Sequence, residues 1–558
     1  MPDTGSRDRD PTGRGIDRRQ MLKLAAAATA AFATGCPGKA QPAIAREAIG
    51  GGLRGQDPTL GHLLRDGGLA KRTPAETKRL EVLVLGGGVA GLSAAWRLRR
   101  EGVSAPILEA ASAPGGNSRA GEVEGVTPYP WGAHYLRAPT VEHPALETFL
   151  EEAGLIRGRD ARGRIDWDVR ALCLAPMERL WEKGLWSESL FPPPRSATKE
   201  DRPQFKAFRS EVDRLAAFKD ASGKPAFAIP IDASSQDKDL LALDAISFRT
   251  WLTQRGLTAP GLLWYLEYAC RDDYGCSLDT TSAWAGLHYF CSRNRGKDTR
   301  EETLAWPEGN ARLVRYLQDL HGPAEVKTQS FAYRIIPGKG PGEPSEAWVC
   351  HVEGDTQRLV RYLAQELIWA GPNFVLDRLL GRAPTPGFSY APWLVVNVTL
   401  RSIPGGFGAP LAWDNVFYGK PSLGYVVANR EKAPGDPLVV TWYLPFIGAD
   451  DRAERARLFA LDHDAIVKQV LAELLEVHPS LSGEVVSIDS WRWGHAMIRP
   501  TPGFIWGRRQ AARKGTGTLV QAHTDLSGIS IFEEAFYQGV VAGEEVLRRR
   551  GTGFTSLL

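Results

Sequence analysis

The stretch Glu81-Val82-Leu83-Val84-Leu85-Gly86-Gly87-Gly88-Val89-Ala90-Gly91-Leu92 constrains this chain more than any other. A short apolar run breaks into three glycines and restarts with apolar and small residues at helical spacing, a pattern that predicts strand, tight turn and helix. Gly86 would form the turn, Gly88 would let the backbone approach a pyrophosphate, and Gly91 would let helix and strand pack closely. The helix N-terminus then offers unpaired N–H groups and partial positive charge to a diphosphate. Ala105-Pro106-Ile107-Leu108-Glu109 reads as a second strand ending in a carboxylate about twenty residues past the loop, where an acid accepts hydrogen bonds from an adenosine ribose. A carboxylate there repels a ribose 2′-phosphate, which argues against NADP.

With 558 residues, 43% of them hydrophobic, the chain can bury the cores of two or more domains. Its 68 basic and 65 acidic residues are spread along the sequence, so no basic face is available for nucleic acid. Several of the 17 tryptophans fall mid-chain, where they could wall an apolar pocket or fill the core.

Residues 1–40 read as an address. Arg18-Arg19-Gln20-Met21-Leu22-Lys23 precedes a mildly apolar run too short to span a bilayer, the pattern of a twin-arginine export signal whose machinery carries folded, cofactor-loaded proteins. Ala33-Thr34-Gly35-Cys36 then resembles a lipoprotein processing box, making Cys36 a candidate lipid anchor. The expected location is periplasmic, or tethered on the outer side of the membrane. Residues 41–79, rich in Gly, Pro and charge, read as a linker. The remaining cysteines, Cys173, Cys270, Cys276, Cys291 and Cys350, lack metal-ligand spacing, so no structural zinc is expected and buried free thiols are.

Ala113-Pro114-Gly115-Gly116-Asn117-Ser118-Arg119 adds a glycine loop with a nearby cation, and Tyr129-Pro130-Trp131-Gly132-Ala133-His134-Tyr135 sets small residues between aromatics. With GGGVAGL and the acid of LEA, these segments resemble the flavin-dependent amine oxidase superfamily, which includes phytoene-desaturase-like and protoporphyrinogen-oxidase-like enzymes. The resemblance implies an α/β fold: a Rossmann-type FAD-binding domain with a discontinuous α+β substrate-binding domain. It implies FAD contacts at Gly86, Gly88, Gly91, Glu109, Gly115 and Gly116. The arginine usual after the glycine pair is Asn117 here, which leaves Arg119 to take that contact. Gly517 to Gly528, followed by an apolar helix pattern from Ile531, resembles the superfamily's closing strand, acidic turn and flavin-facing helix. Asp525 matches the acid, and Gly539 the small residue inside the helix. No cysteine lies near that helix, so FAD is expected to be held non-covalently.

The resemblance divides the chain into FAD-binding parts at 80–140, 304–389 and 491–558, with substrate-domain parts at 141–303, mostly helical, and 390–490, mostly sheet. In the first substrate part, Tyr268-Ala269-Cys270-Arg271-Asp272-Asp273-Tyr274-Gly275 is the densest polar cluster. As a pocket wall it would supply Arg271 and Asp273 as catalytic groups; as a helix terminus it would be capping acids and a solvated ion pair. Within Trp491-Arg492-Trp493-Gly494-His495, His495 is the histidine expected near the flavin ring. No lysine stands in the context of the superfamily's flavin-facing lysine. The chain is expected to be an exported FAD oxidoreductase taking a hydride from an amine or apolar small molecule. A desaturase or isomerase of an isoprenoid or tetrapyrrole-like substrate, and a non-catalytic FAD-binding redox or assembly partner, remain alternatives.

Overall fold

The structure is a computed structural model that describes residues 49–558 except 56–57, 67, 70, 125–126, 162, 174–175, 294–301, 341, 431–434 and 514–516. The export signal with Arg18 and Arg19, and the candidate anchor Cys36, lie outside the described residues.

The apolar run ahead of the glycines ends the strand Glu76–Leu85, whose last four residues are buried. Burial on both faces suits a central strand of a parallel sheet. It pairs in parallel with Thr356–Trp369 on one side and Ile107–Leu108 on the other. Val326–Lys327 and Leu519–Gln521 extend the parallel part, and Ser345–Glu353 and Ser330–Ile336 add antiparallel strands to complete seven. From the glycines springs the helix Val89–Arg100, here the loop helix. Against it lies Phe532–Arg549, here the closing helix. A Cβ on Gly539 would stand 2.0 Å from Ser93 Oγ and 2.2 Å from the Ala90 carbonyl oxygen, while one on Gly543 would stand 3.0 Å from the Ala94 carbonyl oxygen. These matched steps along both helices show that they run in the same direction, with both N-termini at one end.

A second sheet has eight strands in the order Gly50–Arg54, Val485–Ile498, Tyr390–Leu400, Leu438–Pro445, Gly424–Val427, Asp414–Phe417, Glu178–Glu182 and Leu185–Ser187. Side chains alternate across it, as the period of two requires. Leu394, Val396, Val398 and Leu400 pack toward Ile466, Val470 and Leu474 of the helix His463–Val477. Trp393 and Val395 face the other way, among Tyr443, Trp491 and Trp493. A helical insertion, including Asp201–Ala216, Phe248–Gln254, Pro260–Tyr274 and Ala283–Cys291, forms its own apolar core beside this sheet. Within it Cys270 and Cys276 are buried free thiols, and Cys291 is buried with its Sγ 3.7 Å from the Val212 carbonyl oxygen.

Three expected boundaries shift. The stretch expected as a linker to residue 79 instead contains the edge strand Gly50–Arg54, the helix Pro58–Arg65 and the start of Glu76–Leu85; backbone pairing, which needs no apolar pattern, orders the glycine-rich strand. Residues expected to open the substrate domain at 141 belong with the nucleotide core, because Phe149 packs against both Trp96 and Phe536 and Leu146 joins the same apolar cluster. At the other end, the strand beginning at Val485 continues past 491 to Ile498, so the second sheet gives way to the nucleotide-binding part only after that residue.

The interhelical contact decides the sign of one substitution. Replacing a mid-helix glycine with alanine ordinarily favours the helix by about 1 kcal/mol. At Gly539 the new methyl would meet backbone that cannot swing away, so Gly539→Ala is expected to destabilise the protein by about 2 kcal/mol or more in thermal unfolding. Gly553→Ala, with nothing within 4 Å of its Cβ, should leave the melting temperature nearly unchanged.

Candidate active site

The glycine loop is built as its sequence requires. Gly86 takes φ +113° and donates its N–H to the Leu108 carbonyl at 2.8 Å. A Cβ on Gly91 would lie 1.9 Å from the Gly86 carbonyl oxygen, so no other residue fits there without moving the turn. Gly88 precedes the loop helix and faces Gly116, whose Cα is the sole atom within 4 Å of a Cβ built on Gly88. Two bare backbones therefore flank the helix N-terminus, with Gly115 tied to the loop through its N–H to the Gly87 carbonyl at 2.8 Å. Glu109 accepts the Gly87 N–H through Oε2 at 2.6 Å and the Ala111 N–H through Oε1 at 2.7 Å. Burial raises its pKa while those bonds and Arg119 oppose the rise. Each oxygen keeps a lone pair that a ribose hydroxyl could use. Arg119 donates to the Gly116 carbonyl at 3.2 Å and lies 4.7 Å over the Trp491 ring. Although two residues later than the arginine of the resembled pattern, it reaches the same glycine pair.

Farther along the cleft, Asp525 is buried and accepts the Asn373 N–H at 2.7 Å and the Tyr390 hydroxyl at 2.6 Å. Burial opposes ionisation, but His523 at 3.1 Å and these donors outweigh it and hold the carboxyl below its usual range. His495 stacks on Phe374 at 4.3 Å beside Tyr390. It adjoins the Asp525 end and does not line the pocket described next.

That pocket has about 860 Å³ of empty space, partly open to solvent, between the aromatic face of the second sheet, the helical insertion and the N-terminus of the closing helix. Trp393, Tyr443 and Trp493 wall it on the sheet side, with His134 stacked on Tyr443 at 5.0 Å. The Tyr443 hydroxyl and His134 Nδ1 are 3.0 Å apart. Burial pushes the imidazole down to about 4, so it is neutral at pH 7. Asp272, Asp273 and Glu533 face the same space against one arginine, Arg293, which approaches Asp273 at 3.7 Å. Burial, then the like charge of Asp273, pushes Asp272 up to about 7. Burial also raises Asp273 and Glu533, against the pull of Arg293. Three lining atoms, Arg293 Nε, Asn310 Oδ1 and Trp393 Nε1, are buried with no hydrogen-bond partner among the described residues. Such atoms are costly unless a ligand or water meets them.

Of the residues singled out from sequence, Asp273 lines this pocket and Arg271 does not. At about 100° per helical residue, Arg271 stands about 200° around the helix from Asp273 and points away from the pocket. It donates instead to the carbonyls of Lys420, Pro421 and Ser422, tying the insertion to the sheet. Gly539 packs against the loop helix at Ala90 and Ser93. The residues that sequence reasoning missed are Arg293, Glu533, His134 and Trp393. Glu533 stands in the first turn of a helix, where acids are common for their effect on the dipole alone.

Residues 84–153 match the NAD(P)-binding Rossmann-like domain. A search of curated proteins returned no matching relative. Putrescine oxidase, in a structure bound to putrescine, is similar at TM-score 0.59 and 16% identity, with 85% of this chain and 100% of that chain covered. Cyclohexylamine oxidase from Brevibacterium oxydans IH-35A is similar at TM-score 0.60 and 15% identity, with coverage of 85% and 99%. A CLA-producing fatty acid isomerase from P. acnes is similar at TM-score 0.57 and 14% identity, with coverage of 84% and 98%. The chain therefore shares its fold with putrescine oxidase, cyclohexylamine oxidase and the fatty acid isomerase.

Proposed function

We propose that this chain is an FAD-dependent oxidoreductase that removes a hydride from the carbon beside an amine nitrogen and holds its flavin without a covalent bond. The observation that carries the reading is an aromatic pocket with three carboxylates to one arginine, set at the helix N-terminus beside a glycine cradle. An apolar isoprenoid or fatty chain would leave Asp272, Asp273 and Glu533 facing hydrocarbon, at a desolvation cost that an ammonium group would instead offset.

The residues around the cleft fit the cofactor. The loop-helix N-terminus with Gly86, Gly88, Gly91, Gly115 and Gly116 would hold the diphosphate, Glu109 the ribose, and Arg119 the negative charge beside the glycine pair. Asp525 would hold the ribityl or diphosphate region of the cofactor. Bound there, FAD would accept the hydride released by the substrate. The N-terminus of the closing helix would stabilise negative charge in the pocket without a charged side chain. Trp393 and Tyr443 would orient the substrate carbon, and neutral His134 would fix the Tyr443 hydroxyl. A cationic amine must lose a proton before its nitrogen lone pair can assist C–H cleavage. Asp272, with a pKa near neutrality, is placed to accept it.

On this reading the ionised form of Asp272 is the working form, so kcat/KM for an amine rises as pH increases through about 7. Asp272→Asn should lower kcat/KM by about 10²-fold or more and flatten that acid limb. An unchanged limb in the variant would assign the proton acceptor elsewhere.

The export reading belongs to the same proposal: a folded, flavin-loaded chain leaves through the twin-arginine machinery and is tethered at Cys36. Arg18→Lys with Arg19→Lys should retain the protein in the cytoplasm, as read by fractionation. Undiminished periplasmic delivery would contradict it.

A further inference from the structure

The strand Tyr390–Leu400 leaves the eight-stranded sheet into the loop Arg401-Ser402-Ile403-Pro404-Gly405-Gly406-Phe407-Gly408-Ala409. Two large apolar side chains of this loop face solvent: Phe407 is 83% exposed and Ile403 58%. Their backbone is pinned. The Trp186 N–H donates to the Phe407 carbonyl at 2.9 Å, and the Ala409 N–H returns to the Trp186 carbonyl at 3.0 Å. Arg179, stacked 3.7 Å from the Trp186 ring, donates to the Ala409 carbonyl at 3.0 Å, and His478 Nδ1 lies 2.5 Å from the Gly405 carbonyl oxygen. Gly406 and Gly408 allow this close seating: a Cβ on either would stand 2.6 Å from the Trp186 ring or 2.1 Å from its carbonyl oxygen. Glycines and buried polar groups thus hold the loop flat while its apolar side chains point away from the protein, the opposite of what solvent alone would select.

The position of the loop says what could cover them. In the sheet register, Gly50 pairs with Ser487 and Ser487 with Thr399, so the described chain begins at the sheet end from which the loop departs. Ile49 packs in the same apolar cluster as Ala409 and Leu411. The 13 residues from Cys36 to Ile49 reach at most about 45 Å when extended. A lipid on Cys36 would therefore hold a bilayer within about 45 Å of this end of the sheet. Among the described residues no helix is long and apolar enough to cross one, which leaves surface contact as the mode available to them.

We propose that the 401–409 loop is a lipid-contacting surface, with Phe407 and Ile403 inserted into the interfacial layer of a bilayer. The tether raises the local concentration of lipid at the loop, and the loop in turn fixes the orientation of the enzyme body. The proposal takes the position of the tether from the export reading above, while the loop geometry stands without it.

The test separates the two. The full chain carrying Cys36→Ser, which cannot be acylated, is floated with vesicles of phosphatidylethanolamine and phosphatidylglycerol and compared with the same chain carrying Ile403→Ser and Phe407→Ser. The expected result is a vesicle-bound fraction at least fivefold lower in the loop variant, with melting temperature and sedimentation unchanged. Equal bound fractions, or no flotation of either chain, would overturn the proposal. So would a dimer that only the loop variant dissociates, since a second copy would then be what covers the patch. The mass of the mature chain independently reports acylation of Cys36.

Discussion

The contact between the loop helix and the closing helix governs the rest of the molecule. Gly539 and Gly543 bring the two backbones together, and behind them Arg97 and Glu544, both fully buried, pair at 3.1 Å. Desolvating such a pair is costly, and the structure offsets it by satisfying the remaining valences: Arg97 also reaches Glu101 and the Thr555 carbonyl, while Glu544 accepts from Ser556 and the Leu557 N–H. Because the helices are parallel, their dipoles add at one end. The level of Gly539 against Ala90 and Ser93 sets the closing helix about one turn farther forward than the glycine loop. One N-terminus thus stands at the glycine cradle and the other reaches the pocket, so a single packing contact fixes the spacing of two regions that are more than four hundred residues apart in sequence.

The second sheet supplies the other wall by a similar economy. In Tyr390–Leu400 every residue is buried, but alternate side chains go to different tasks. One set seals the sheet against the helix His463–Val477, and the other brings Trp393 and Val395 to the pocket. The pocket's acids come from elements with different roots: Asp272 and Asp273 from the end of the helix Pro260–Tyr274, and Glu533 from the first turn of the closing helix. Burial raises the pKa values of all three, and the charge of Asp273 raises those of Asp272 and Glu533 further. A site so arranged is poised for a cation that can give up a proton.

What the sequence made legible follows from the range of the forces involved. The glycine loop, Glu109 and the following helix were readable because backbone geometry at Gly86 and Gly91 restricts the residue type locally. Asp525 was picked out by the resemblance alone, standing in a short turn between strand and helix. The role of Arg271 was misjudged because sequence adjacency is not a shared face: one step along the helix separates a tether to the Lys420–Ser422 carbonyls from a pocket acid. His134 and Tyr443 meet across more than three hundred residues, and nothing short-range marks either as a partner of the other. The strand Gly50–Arg54 was hidden because its order comes from pairing with Val485–Ile498, while its own composition is that of a linker.

The central claim is that the cradle between Gly88 and Gly116, with its pocket, is a flavin site. It is tested most directly by the absorption spectrum of the purified full-length chain before and after acid or heat denaturation. The account predicts flavin bands on the folded protein that pass into the supernatant once the chain is denatured and removed. A colourless protein that takes up no FAD on reconstitution would contradict it, and flavin bands that stayed with the precipitated chain would contradict its non-covalent attachment.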